Sequence, residues 1–357
     1  MPKPRGRRGA MLAAATLAYL AWRAWRRRDA DLAGRVVLIT GGSRGLGLVM
    51  AREFARHGCR VAICARDPQE LERARADLEA RGADAAAFTC DVARENDARD
   101  LVARVTERFG GIDILVNNAG IIQVGPLRWM TLADFEREMA VNFWGGVHAT
   151  LAVLPQMRHR RAGRIVNITS IGGEVAIPHL LPYSCSKAAA VAFSEGTRAE
   201  LARYGISVTT VVPGLMRTGS PVNAFFKGSA AAEFTWFSLG DATPLTAMSA
   251  ERAARRIVRA ARHREAEVTL SWQARALRLV RALAPGATAD ALAVVNRILP
   301  GPEGGRPEAR RGMQLATRLS PSPLTILMNR AARRNNEFGG AARPARAHAR
   351  KIGLEEA

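Results

Sequence analysis

The chain has four cysteines in 357 residues, Cys59, Cys64, Cys90 and Cys185, and no two of them stand at disulfide-framework or metal-ligand spacing. Three fall in or beside apolar strand-like runs, so reduced, mostly buried thiols are expected, as in a cytosol-facing protein. There is no paired Cys/His finger and no aromatic RNP-like run, which argues against nucleic acid as a partner. No internal repeat is present. No apolar run reaches the ~20 residues of a comfortable membrane span. Residues 1–28 contain eight Lys/Arg and no acid at all.

The apolar share is 48% and the charged share 24%, values of a globular protein large enough for one sizeable core plus extensions. The net charge of +21 is concentrated at the ends: residues 29–249 hold 24 basic and 23 acidic side chains, while residues 250–299 hold ten and four and residues 300–357 eleven and five. A basic end can meet anionic lipid, nucleic acid or only solvent. The run Ala10–Trp22, flanked by Arg7, Arg8 and Arg23, is short for a span, but snorkelling by Arg23 and interfacial Trp22 and Trp25 extend it. A short signal anchor, an interfacial helix, a cleaved signal peptide and a transit peptide all compete for it. We read residues 10–25 as a membrane anchor, with the body of the chain facing the cytosol and a soluble cytoplasmic protein as second choice.

From Gly34 onward strand-like and helix-like runs alternate. Strands are expected at Arg35–Thr40, Arg60–Ala65, Ala85–Cys90, Ile112–Val116, Arg164–Thr169, Ile206–Val212 and Ala266–Leu270. Helices are expected from the glycine-rich turn to Arg56, then at Pro68–Arg81, Asn96–Phe109, Thr131–Arg158 (which Pro155 could cut short), Leu181–Tyr204, Ala250–His263, Trp272–Leu283 and Thr288–Leu299. This alternation predicts an α/β fold, a Rossmann-type doubly wound parallel sheet of about seven strands with helices on both faces. An N-terminal hydrophobic helix and a helical C-terminal extension complete it. The boundaries expected are 1–30 for the anchor, 31–272 for the main α/β domain, 273–300 for the helical extension and 301–357 for a basic, partly disordered tail with a short helix near Leu324–Arg334. Leu215–Met248 breaks the alternation and is rich in aromatics and turns.

Tyr183 and Lys187 stand one helical turn apart in Tyr183-Ser184-Cys185-Ser186-Lys187. An ammonium beside a phenol favours the phenolate, so the pair can give a proton to a carbonyl or take one from an alcohol. Cys185 between them is expected on the inner face of the helix. The turn Thr40-Gly41-Gly42-Ser43-Arg44-Gly45-Leu46-Gly47 joins the first strand to its helix, where backbone N–H groups can approach a pyrophosphate. An NAD site ends its second strand with a carboxylate; here that place holds Arg66, and Arg44 lies in the turn. Two guanidiniums suit a 2′-phosphate, so NADP(H) is expected over NAD(H), with Asp67 turned away or capping the next helix ahead of Pro68.

With these residues in order, the chain resembles the short-chain dehydrogenases/reductases from about Gly34 to Thr218, and more loosely to Leu270. The glycine turn, Asp91 and Val92 after the third strand, Asn117-Asn118-Ala119-Gly120 after the fourth, Asn142 in mid-helix, Ser170 ending the fifth strand, Tyr183, Lys187, Pro213-Gly214 and Thr218 all match. The resemblance implies roles. Tyr183 would be the general acid/base, and Lys187 would hold the nicotinamide ribose and lower the phenol's pKa. Ser170 would hold the substrate oxygen and Asn142 a proton-relaying water. Thr40, Gly41, Ser43, Arg44, Gly45, Leu46, Gly47, Arg66, Asp91, Val92, Asn118, Ala119, Gly120, Pro213, Gly214 and Thr218 would line the cofactor; no metal is implied. Seen alone, Ser170 could equally be a strand-end cap and Asn142 a buried amide satisfied by backbone.

In this family the aromatic segment 225–237, Pro178–Pro182 and Ile122–Val124 would surround the substrate. Their apolar character points to a hydrophobic carbonyl or secondary alcohol, of lipid, steroid or retinoid type, or else they pack a lid or dimer face. His179 reads as a wall residue. The long helices at 131–158 and 181–204 would form a four-helix face in a dimer or tetramer. A different class of function also fits the basic ends: a non-catalytic NADP(H)-binding scaffold or sensor. Loss of Tyr183 or Lys187 would have favoured it, and both are present.

Overall fold

A computed structural model describes residue 16 and residues 31–242, 247–301, 303–315 and 325–338. The expected anchor over residues 10–25 falls, apart from Thr16, outside the described residues. Among the described residues no helix is long and apolar enough to cross a membrane.

Seven parallel strands form the main sheet: β1 (Val36–Thr40), β2 (Arg60–Ala65), β3 (Ala85–Thr89), β4 (Ile114–Asn117), β5 (Gly163–Ile168), β6 (Ile206–Val212) and β7 (Glu267–Thr269). Their spatial order is β7-β6-β5-β4-β1-β2-β3. Every residue of β1 and β5 is buried, because helices cover both faces; such strands read as unbroken apolar runs. On one face lie α1 (Gly45–Arg56), α2 (Pro68–Glu79) and, further along the chain, the helix Ala250–Arg262, whose alanines and Ile257 meet Met50, Phe54 and Val37 in one core. The other face carries α3 (Glu95–Phe109), whose Leu101 and Val105 share a core with Ala149, Val153, Leu38 and Leu115.

After β4 come α4 (Leu132–Met139) and α5 (Gly145–Arg160), joined by one π-helical turn at Ala140–Trp144. Pro155 does not end this helix. The carbonyl that loses its partner belongs to Leu151, which is 56% exposed, so water can satisfy it. Next is α6 (Leu181–Leu201), with Pro182 in its first turn. The aromatic segment contains α7 (Ala230–Ala242), which the sequence pattern hides: Glu233 and Asp241 lie on its buried face, inverting the usual polarity. Ala250–Arg262 is α8, followed by α9 (Trp272–Leu283) and α10 (Pro285–Ile298). α10 starts before the expected Thr288, with Pro285 in its first turn.

The described part of the basic tail contains a strand that the sequence pattern does not announce. Arg306–Arg311 is a strand, paired antiparallel with Phe225–Gly228, which in turn pairs parallel with Gln123–Val124. All six of its residues are exposed, so no apolar alternation marks it; only the partner strand defines it. The last described element, α11 (Ile326–Arg334), ends in a Schellman turn: Asn336 has φ 59°, its N–H reaches the carbonyl of Arg333, and the N–H of Glu337 reaches that of Ala332.

Because β4 lies against β1 on the side away from β2, the chain reverses direction across the sheet there. In sheets of this topology the ligand crevice lies at the carboxyl ends of these two strands, here beside the N-terminus of α1.

Candidate active site

Helical spacing turns Tyr183 and Lys187 to the same side of α6, toward the end of β5. Lys187 is buried, and its ammonium donates to the carbonyl of Ile168 at 3.0 Å and lies 5.8 Å from the Tyr183 ring centroid. Ser170 follows β5, its Oγ accepts from the N–H of Gly172 at 3.0 Å, and Gly172 borders both this hydroxyl and the Tyr183 ring. Cys185 is exposed, against expectation. Two residues along a helix is about 200° of rotation, which sends it to the face opposite Tyr183.

The electrostatics also differ from the reading of the spacing. Burial pushes the Tyr183 phenol up to about 12; Ser170 pulls it back, and Glu138 and Asp241 push it further up. Burial brings Lys187 itself down to about 8, against the opposing pull of Glu138.

Asn142 sits in the π-turn and is buried. Its Oδ1 accepts from the N–H of Ile121 at 2.8 Å, and its Nδ2 faces the Ile121 carbonyl at 3.1 Å, Ser186 Oγ at 3.0 Å and the Glu138 carboxylate. A side-chain carbon on Gly120 would stand 3.1 Å from Asn142 Oδ1 and 3.6 Å from Lys187 Nζ, so the Gly120 backbone borders both groups. Sequence reasoning missed Glu138. It is wholly buried, with one carboxylate oxygen unpartnered, and burial lifts it to about 8 while Lys187 and Arg137 pull it down. Its place one turn before Asn142 was visible; its burial was not.

At the crevice floor Thr40 Oγ1 accepts from the N–H groups of Asn118 and Ala119 at 3.0 and 3.1 Å, and Asn118 Nδ2 donates to the carbonyls of Thr40 and Gly41. These bonds tie the glycine turn to the end of β4. Gly45 and Leu46 open α1, and Gly47 packs against the Gly41 carbonyl. Asp91 turns its carboxylate onto the N–H of Ala93, and Val92, buried beneath Gly145, gives its carbonyl to His148. The carbonyl of Pro213 accepts from Ile171 N–H, Gly214 lies tight against Ser271, and buried Thr218 bonds Ser220.

The two guanidiniums expected to act together are not equivalent. Arg44 is paired with Glu70 at 2.8 Å, and the same carboxylate accepts from Ser43 Oγ. Arg66 is exposed and makes no ion pair among the described residues. Asp67 caps α2 through the N–H groups of Gln69 and Glu70, as expected. The reversal in strand order, the braced floor and the α1 N-terminus together fit a dinucleotide. The crevice also holds a residue that no local signal announces, Glu337, at Gly45 and Gly219.

On the substrate side Phe226, Phe234, Phe237, Leu180 and Val124 form a small apolar core with Tyr183 packed against it. His179, at φ 65°, bonds the buried Glu233 at 2.9 Å, and Trp236 Nε1 donates to the same carboxylate at 2.6 Å. Lys227 reaches buried Asp134 at 2.5 Å, pinning Phe225–Gly228 to α4. Beyond the 176–181 wall lies a cleft of about 330 Å³, lined by Leu127, Ile177, Pro178, Leu181, Asn296 and Pro300 among others.

The short chain dehydrogenase profile matches residues 35–225. A Drosophila melanogaster dehydrogenase/reductase SDR family protein 7-like is 38% identical over 272 residues, covering 73% of this chain and 82% of its own length. An Acinetobacter baylyi fatty acyl-CoA reductase is 37% identical over 190 residues, 53% of this chain and 64% of that relative. Among solved structures, an actinorhodin polyketide ketoreductase variant with NADPH superposes with a TM-score of 0.59 at 30% identity, covering 66% of this chain and 95% of that one.

Proposed function

The chain belongs to the short-chain dehydrogenase family, and from that premise we propose that it is an oxidoreductase interconverting a carbonyl and a secondary alcohol of a hydrophobic substrate with NADP(H). The observation that carries this reading is the convergence of Ser170, Tyr183 and Lys187 beside the end of β5. The dinucleotide, when bound, supplies or accepts the hydride. Every other task falls to the chain. Ser170 orients the reacting oxygen, and Tyr183 gives its proton to that oxygen in reduction. Lys187 and Glu138, both near 8, form a buried pair of titratable groups that can return the proton to the phenol through the Asn142 turn. Gly45 and Leu46 would receive the pyrophosphate and Arg66 the 2′-phosphate.

A preference for NADP(H) rests on Arg66 more than on Arg44, which Glu70 already neutralises. Charge-assisted hydrogen bonds are worth roughly 1.5–3 kcal/mol, so Arg66→Ala should weaken NADPH about 10–100-fold and leave NADH unchanged. Turnover is tested by following NADPH absorbance over a panel of hydrophobic ketones, aldehydes and acyl thioesters. No oxidation with any of them, by a protein that binds NADPH, would favour the sensor reading instead.

The anchor reading of residues 10–25 belongs to the same proposal. It draws support from the exposed apolar side chains of α9 and α10, Trp272, Leu283 and Ile298, at 72%, 77% and 80% exposure, next to the cleft beyond the 176–181 wall. The full chain should float with liposomes in a density gradient; recovery of all of it at the bottom would remove the membrane from the proposal.

A further inference from the structure

The N–H of Gly45, the first residue of α1, donates to the carbonyl of Asn335 at 2.9 Å. This is an amide of the helix N-terminus that a pyrophosphate would use. The segment carrying Asn335 is fastened on every side. Arg52 donates to Asn335 Oδ1 at 2.9 Å and to the carbonyl of Arg334 at 3.0 Å. Asn336 accepts from Arg73 at 2.9 Å and donates to the carbonyls of Ser43 and Glu70, at 2.9 and 3.0 Å. Asn223 donates to the carbonyl of Glu337 at 3.0 Å.

The Schellman turn at the end of α11 points Glu337 inward. The residue is 3% exposed, and its Oε2 has no hydrogen-bond partner among the described residues. A side-chain carbon placed on Gly45 would overlap Oε1, and one placed on Gly219 would overlap Oε2. The carboxylate therefore spans the crevice from the glycine turn to the loop that follows Thr218. A buried carboxylate with an unsatisfied oxygen is costly, and nothing in packing alone demands one here. Its position is that of a ligand at a helix N-terminus, filled by a group of the chain itself.

We propose that Asn335–Glu337 is a built-in competitor of the dinucleotide, whose main-chain carbonyl and carboxylate hold the pyrophosphate subsite until the cofactor displaces them. This rests on the dinucleotide reading above and adds a control to it: the cofactor binds only the fraction of molecules in which the hook has swung out. Burial pushes the Glu337 carboxyl up to about 8, with Arg44 pulling it back, which fits a group held away from water.

The test uses the full chain and two variants, Glu337→Ala and Asn336→Ala. NADPH affinity is measured by fluorescence titration, and hydrogen exchange over residues 325–338 by mass spectrometry in the unaltered chain. If the docked form holds nine in ten molecules, either variant tightens the apparent Kd for NADPH about tenfold. Exchange over 325–338 rises when NADPH saturates the unaltered chain. Variants that bind NADPH no tighter than the unaltered chain overturn the proposal, as does protection of 325–338 on binding, which would make the hook a clamp over the cofactor. If neither the unaltered chain nor the variants bind NADPH while all three melt cooperatively, the dinucleotide reading falls too. Binding by the unaltered chain with no gain in the variants sinks only the competitor.

Discussion

Tyr183→Phe is expected to cut carbonyl turnover by about 10²–10⁴-fold, the span of a positioned general acid, while leaving the Kd for NADPH unchanged. The phenyl ring keeps the packing against Phe226, Phe237 and Leu180; only the hydroxyl that meets Ser170 is lost. Since burial holds the phenol near 12, it stays protonated at neutral pH, the form that gives a proton in reduction. Reduction should therefore be flat in pH through the neutral range. Alcohol oxidation needs the phenolate, so it should climb as pH rises. A variant that keeps much of its reductase rate, or an oxidation rate that falls with pH, would show that another group moves the proton.

The second large effect is expected at Gly47. A Cβ there would overlap the Gly41 carbonyl oxygen and stand 2.7 Å from Asn118 Nδ2. Neither can yield cheaply: one is backbone, and the other holds the carbonyls of Thr40 and Gly41. Gly47→Ala must therefore open the turn or shift α1. Overpacking of this kind costs about 1–3 kcal/mol, which, if it falls on the cofactor site, is roughly 5–150-fold in NADPH affinity. Gly286→Ala is the control, since a Cβ there meets nothing within 4 Å. Equal NADPH binding by the two variants would mean that the turn does not shape the site.

Much of the fold and of the site is legible in the residues alone, for a definite reason. Strands buried on both faces carry their burial in composition, so Val36–Thr40 and Ile206–Val212 announce themselves. Asp67 before Pro68 is a local cap signal, and the cap is present. What stayed hidden depends on partners far along the chain. Glu70 neutralises Arg44 across 26 residues, and the buried Glu138 meets Asn142, which in turn bonds Ser186 on α6. The strand Arg306–Arg311 has no apolar face, and α7 buries its acids. Cys185 is a different kind of miss: the 3.6-residue period alone would have placed it outside.

The contacts of Asn336 with Ser43, Glu70 and Arg73 bridge 293, 266 and 263 residues of chain. Closing so long a loop comes late in folding, after the nearer parts have formed. On a ribosome the first βαβ unit emerges some 270 residues before its latch does. The nascent domain thus passes through a period in which the glycine turn and the N-terminus of α1 have formed without Asn335–Glu337 upon them, and if that segment is a competitor, a dinucleotide arriving then would meet no rival.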